Sequence, residues 1–399
     1  MKRILYLVGV LAVFGAVVGA GYFLRAGNNQ APAAPQESAA SPFGLPTAPI
    51  YQTPAAGGAT STISQQFGVV AENEVVGFFV GHQNTITAVE TGGRVVRIAD
   101  GAQTVISSAP ISNIISADFS FDGRLVLVSF GDARAPQYSV FDIDKKIWRP
   151  LPENTRRATW SPNDLRIVFF STSETAASGL STLDLGNPKA LPKVLTRLHQ
   201  QDLDISWPNP ERIFLAEKGA ASLLSSVWVF KIKTGELALV LEEELGLDVL
   251  WSPVSDHGLV FSADPGGRGG RLSLITGLDT RTNLAITSFP EKCAFAAETK
   301  NASTSVTSTK ATPTSAPYFI CGFPKNYDRF AVFPLPDTYQ KRAIYALDDF
   351  YKIDATTGDV SPVFVQSEYG LDAEKLSIAN SRLFFINRFD HKLYGISLR

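Results

Sequence analysis

Four histidines, His82, His199, His257 and His391, are the side chains best suited to acid–base or metal chemistry near neutral pH, and they stand far apart in the chain. No H-E-x-x-H or other paired-ligand spacing joins them, so the sequence assigns no catalytic residue and no metal site. The two cysteines, Cys293 and Cys321, are too few and too separated for a structural zinc. A G-x-S-x-G nucleophile elbow is absent. The run PGGRGGR at 265–271 has the glycines of a phosphate loop but lacks its Gly-Lys-Ser/Thr ending, and reads as a flexible connection. Asp142 with Asp144, and Asp202 with Asp204, alternate along strands and read as solvated carboxylates rather than calcium ligands. Asn301-Ala302-Ser303 is a formal glycosylation sequon. No cofactor is expected. Arg134, Arg156, Arg157, His199, Arg268 and Arg271, with Tyr339 of an aromatic segment, are better suited to holding an acidic partner or a glycan than to catalysis.

The elements that must position these residues repeat along the chain. FSFDGR at 119–124, WSPNDLR at 160–166, WPNP at 207–210 and WSPVSD at 251–256 are turns, each followed closely by an apolar run. GFFVGHQNTITAVE at 77–90 is a weaker copy and KLSIANSRLFFINR at 375–388 a degenerate one. Aligned on the aromatic before the turn, the anchors are Phe79, Phe119, Trp160, Trp207, Trp251 and Phe295, spaced by 40, 41, 47, 44 and 44 residues. That spacing suits the four-stranded blade of a propeller. Second halves such as YSVFDIDKKIWRPL at 138–151 and VWVFKIKTGELALVL at 227–241 supply two further strands.

The expected fold is an all-β, seven-bladed β-propeller over residues 67–399, with six or eight blades as alternatives. Each blade runs a–b–c–d. The seventh begins near Lys375 with three strands, and a strand from 65–70 would complete it and close the ring. Trp160, Trp207 and Trp251 should pack between blades. Two insertions interrupt the sixth blade, low-complexity 298–317 between strands a and b and aromatic-rich 324–347 between b and c. Cys293 and Cys321 fall on its adjacent a and b strands, where an oxidising compartment permits a disulfide. In a propeller the b–c and d–a connections share one face. The six basic residues above fall in such connections and would share a rim with Tyr339.

The hairpins WSPND, FSFDG and WSPVSD at this spacing resemble the repeats of TolB-type bacterial propellers, relatives of WD-repeat propellers. The resemblance covers about residues 70–399 and implies an extracytoplasmic protein that uses propeller faces to bind other proteins. The repeat's closing Asp-Gly survives only at Asp122-Gly123. The separate N-terminal α/β domain of TolB has no counterpart here, so a TolB partner does not carry over.

A tether stands in its place. Lys2 and Arg3 precede twenty-one charge-free residues, Ile4–Leu24, long enough to cross a hydrocarbon core. Residues 1–25 therefore read as a transmembrane signal-anchor, with a cleaved signal peptide as the alternative because Val18-Gly19-Ala20 is small enough for a peptidase. The basic flank keeps the N-terminus cytoplasmic and places the propeller outside the cell membrane, or in the secreted fraction after cleavage. Residues 26–66 carry six prolines and one charge, Glu37, and read as an extended linker. A net charge of −2 argues against a nucleic-acid partner. The expected function is a protein- or envelope-polymer-binding scaffold. The alternative is a propeller-type enzyme (a lyase, a glycan hydrolase or a quinoprotein) with its site in the central channel. Nothing in the chain specifies the oligomeric state.

Overall fold

The computed structural model describes residues 67–398 except 108, 173–177, 201–202, 254, 297–316 and 366–368. The expected anchor, the linker, the 298–317 insertion up to 316, the sequon and Asp202 lie outside the described residues.

Seven four-stranded antiparallel sheets form seven blades, here I–VII. Their innermost strands are Val75–Val80, Ile114–Phe119, Thr155–Trp160, Leu203–Asn209, Asp248–Trp251, Cys293–Ala296 and Ala373–Ala379. Innermost strands of neighbouring blades touch around the axis from blade VI through VII and I to IV. Strand b is buried on both sides: Leu125–Ser129, Ile167–Phe170 and Leu383–Asn387 are continuous buried runs. Stacked blades cover both faces of each sheet, so strand b needs no polar side, and β-branched and aromatic residues fill it. The outermost strand of blade I, Ala102–Val105, is exposed throughout.

The repeated hairpin is a structural joint. Ser120 Oγ donates to Asp122 Oδ1 at 2.8 Å and accepts from Leu125 N at 3.0 Å, pinning the a–b turn of blade II. Asp164 closes the same turn in blade III, accepting from Arg166 N at 3.1 Å. Gly123 has φ +71°, and a Cβ there would lie 2.3 Å from the Phe79 ring of blade I. That contact explains why the Asp-Gly ending is kept at this turn.

The tryptophans bind blade to blade. Trp160 Nε1 donates to Asp118 O of blade II at 2.9 Å. The Arg166 guanidinium sits 5.5 Å over Trp207 of the next blade, and Trp251 stacks on Phe214 of blade IV at 4.1 Å. The ring closes through Phe67–Ala71, which pairs with Leu393–Ser397 as the outermost strand of blade VII. Phe67 packs against Phe364, Tyr369 and Tyr394 at 5.2–5.5 Å. In blade VI, Cys293 opposes Cys321 in register, and the two form a disulfide across a Cα separation of 4.0 Å.

Candidate functional site

The b–c connection of blade VI, residues 325–347, is folded. It contains two short helices, Tyr327–Phe330 and Asp337–Gln340. It crosses the b–c/d–a face and touches four blades. Toward blade IV, Asp337 Oδ2 accepts from Ala221 N at 2.5 Å. Toward blade V, Tyr327 donates to Gly270 O at 2.5 Å, Leu335 N donates to Gly267 O at 3.2 Å, and Pro334 bridges Arg268. Toward blade VII, Tyr345 stacks on Phe389 at 5.1 Å and Arg342 pairs with Glu374 at 2.8 Å. Phe330, Leu335 and Tyr339 are buried beneath this cap.

Its anchor is a buried ionic network. The Lys292 ammonium is fully buried and lies 2.6 Å from both Asp348 Oδ2 and Asp372 Oδ1. It also donates to Tyr339 Oη at 3.0 Å and Ala373 O at 3.2 Å. Tyr339 Oη donates to Asp372 Oδ1 at 2.7 Å, and Asp372 Oδ2 accepts from Ala346 N and from Arg388. Arg388 donates to Tyr339 O at 2.7 Å while its guanidinium covers the Tyr339 ring at 3.8 Å. Two cations and two carboxylates thus offset one another in a dry site, where each would be costly alone. Burial raises the Tyr339 hydroxyl well above its ordinary value, with the Asp372 charge adding to it. Burial is also the largest influence on Lys292 and opposes its charge, but Asp348 and Asp372 outweigh it and hold the ammonium above its ordinary value. Asp348 Oδ1 has no hydrogen-bond partner. Desolvation therefore dominates, and it pushes the Asp348 carboxyl up to about 7 against the pull of Lys292.

The innermost strands line the axis with charge. Arg157 pairs with Asp204 at 2.6 Å, joining blades III and IV. Lys375 of blade VII reaches past blade I to Asp118 of blade II at 3.6 Å. Gly77 makes room on blade I, where a Cβ would lie 2.2 Å from Ala117 O. Asp248 begins the innermost strand of blade V. Its side chain is half-buried, but protein surrounds it closely, and desolvation, reinforced by the Glu291 charge, pushes its carboxyl up to about 8. Glu291 is exposed to solvent, yet protein closely surrounds it, and desolvation raises its carboxyl too. Asp204, Asp248, Ser206, Trp251 and Gln340 of the cap help to line a cavity of about 230 Å³. A second cavity, about 300 Å³, lies between blades II and III among Asp118, Tyr138 and Arg157.

The rim expected from the sequence is brought together only in part. Arg134, His199 and Arg268 are exposed in b–c or d–a connections. Arg271 is exposed but opens strand c of blade V. Arg156 and Arg157 were expected in a connection. They lie instead on the innermost strand of blade III, half-buried, with Arg156 donating to Thr172 Oγ1 at 3.3 Å. Tyr339 was expected on the open rim; it is 0% exposed, because its ring and hydroxyl lock the cap to the buried network. Lys292, Asp348, Asp372 and Arg388 went unnoticed in the sequence. Each stands at or next to a strand end on the capped face, and a charge recurring there is the signal that marks them. Among the described residues no three His, Cys, Asp or Glu side chains are placed to hold a metal ion.

Together these features define an all-β, seven-bladed propeller with a folded cap on one face. Solved structures similar to this chain are propellers too. An oligogalacturonate lyase in complex with manganese aligns with a TM-score of 0.52 and 10% identity, over 83% of this chain and 91% of that one. The tricorn protease aligns at 0.48 and 13% identity, over 86% of this chain and 35% of its own. TolB from Acinetobacter baumannii, the type named by the sequence repeats, is among them at 0.35 and 16% identity, over 55% of this chain and 63% of that one. The chain thus spans about a third of the tricorn protease's length and somewhat under two thirds of TolB's. At such identities the likeness is one of fold. No protein-family model matches the chain, and no curated protein sequence does.

Proposed function

We propose that this protein is a membrane-tethered, extracytoplasmic propeller that binds a protein or envelope-polymer partner through its capped b–c/d–a face. The fixed cap carries this reading. A segment held by a buried ionic network and touching four blades is a rigid platform, and rigid platforms bind at a low ordering cost. Residues 4–24 would supply the anchor, with a cleaved signal peptide as the alternative. The direction of the closing strand supports the choice of face. Phe67 pairs with Ile396 at the edge where strands c and d of blade VII meet the a–b/c–d face, so residue 67 stands on the face opposite the cap.

The test places a photo-crosslinking residue at positions 134, 199 or 268 of the full chain, and at 121, 233 or 357 on the opposite face. Specific adducts from the first set alone are expected; adducts from the second set alone overturn the reading.

Asp248 favours a second reading. A carboxyl raised to about 8 beside a cavity between blades IV and V is protonated at neutral pH and could serve as a general acid in a propeller enzyme. Depolymerisation of a glycan that is lost in Asp248→Asn but kept in Asp359→Asn would move the assignment to that reading.

A further inference from the structure

Three loops on the capped face join into one surface. Ala221 of the blade IV connection receives Asp337 of the cap. Gly267 of the blade V connection packs on Ala221 O, so closely that a Cβ would lie 2.4 Å away. Gly269 N donates to Phe333 O of the cap at 3.4 Å. The loops so joined expose large apolar side chains on the same face: Leu223 is 61% exposed, Leu224 56%, Val332 60% and Phe333 37%. The cap is otherwise well packed, with Leu335 and Tyr339 fully buried, so this exposure is not a sign of loose folding. Exposed apolar groups clustered on a fixed platform mark an interaction site.

Lys218, Arg268, Arg271 and Arg329 surround them and are exposed. None of the four is in an ion pair among the described residues. Opposite charge is present too. Asp328, Glu242 and Glu243 are exposed, the last two on the outermost strand of blade IV beside the strand that begins with Leu224; Asp264 is half-buried, Glu244 pairs with Arg281, and Asp337 is held by Ala221 N and Lys341. The surface is thus apolar at its centre and basic on the side of blade V and the cap, where Arg268, Arg271 and Arg329 stand, in a chain whose net charge is −2.

We propose that this patch docks an acidic polypeptide segment that carries Leu or Phe among its carboxylates. The inference rests on the binding reading above and narrows it to blades IV–V and the cap. Charge complementarity gives the sign of the partner, and the four apolar side chains give it an anchor. A lipid surface fits less well, because residue 67 enters at the opposite face and the patch points away from that end of the chain.

The probe is a fluorescent peptide of alternating Glu with Leu and Phe, titrated with the full-length protein; the matching peptide with Lys for Glu and phosphatidylglycerol vesicles are the comparisons. The acidic peptide should bind, more weakly as salt rises, and the basic one should not. Arg268→Glu with Arg271→Glu, and separately Leu224→Ser with Phe333→Ser, should each weaken binding about tenfold or more while leaving the thermal transition in place. Equal binding of both peptides, unchanged affinity in both variants, binding to vesicles alone, or self-association removed by the Leu224/Phe333 pair would each overturn the assignment. If instead Arg134→Glu removes binding, the capped face stands and the patch falls. Crosslinks confined to the opposite face would remove both.

Discussion

At the scale of residues, the buried network joins stability to pH. Lys292 faces two carboxylates with no access to water, so Lys292→Met would leave Asp348 without its cation and Asp372 with Arg388 alone. The expected loss is about 3–5 kcal/mol, read by denaturant unfolding. Lys292→Met with Asp372→Asn should recover part of it. Asp348 gives the pH dependence its sign. Its folded-state carboxyl titrates at about 7 against an ordinary 3.8, so the folded protein holds a proton that the unfolded chain releases. That contribution is complete in acid and is lost as pH rises through this window. Lys292, raised above its ordinary value, contributes fully throughout and loses its share only in strong alkali. Melting temperature should therefore fall between about pH 4 and pH 7, and Asp348→Asn should flatten the fall; a parallel decline in both proteins would refute the assignment to Asp348. None of these four charges was legible in the sequence. Lys292, Asp348, Asp372 and Arg388 lie in four segments well separated in the chain, and only the meeting of blades VI and VII with the cap makes them neighbours. Arg156 and Arg157 were misplaced for a related reason. A strand that faces a channel can carry charge, so polar residues beside Trp160 did not mark a loop.

Elements were more legible, because their patterns are local. The aromatic anchors all fall within the last three residues of an innermost strand, and the hydroxyl–Asp turns follow them. Trp251 is 5% exposed and stacked on Phe214, and Trp251→Ala should cost about 3–5 kcal/mol in unfolding free energy. The disulfide was legible as well, since adjacent strands of one blade place opposed residues close together. It joins residues 28 apart in sequence, and Cys293→Ser with Cys321→Ser should destabilise by up to about 3–4 kcal/mol on loop-closure grounds. Thiol counting under denaturing, non-reducing conditions should find no free thiol. The cap defeated pattern reading. Its apolar residues follow no helix or strand period, and they are buried by contacts with blades distant in sequence. Deleting it would uncover Lys292, Asp372 and Arg388 together, so loss of binding in such a deletion would report unfolding as readily as a lost surface.

At the scale of the whole molecule, seven blades and their closure were legible because repeats report a ring. The partner was not, because repeated segments build the frame and the surface that distinguishes this protein lies in loops that do not repeat. A chain lacking residues 67–71 should keep its far-UV β signal but melt earlier and self-associate, since the edge of Leu393–Ser397 would stand unpaired; an unchanged transition would show that the seam contributes little. That seam also sets an order of events in synthesis. Phe67–Ala71 is made first among the propeller strands, and its partner Leu393–Ser397 is made last, about 325 residues later. At ~5–20 residues per second the first strand waits about 15–65 s for its mate. Through that interval Phe67 has no Tyr394 to pack against, and the newborn protein must be shielded, or kept from its neighbours, until the final strand emerges.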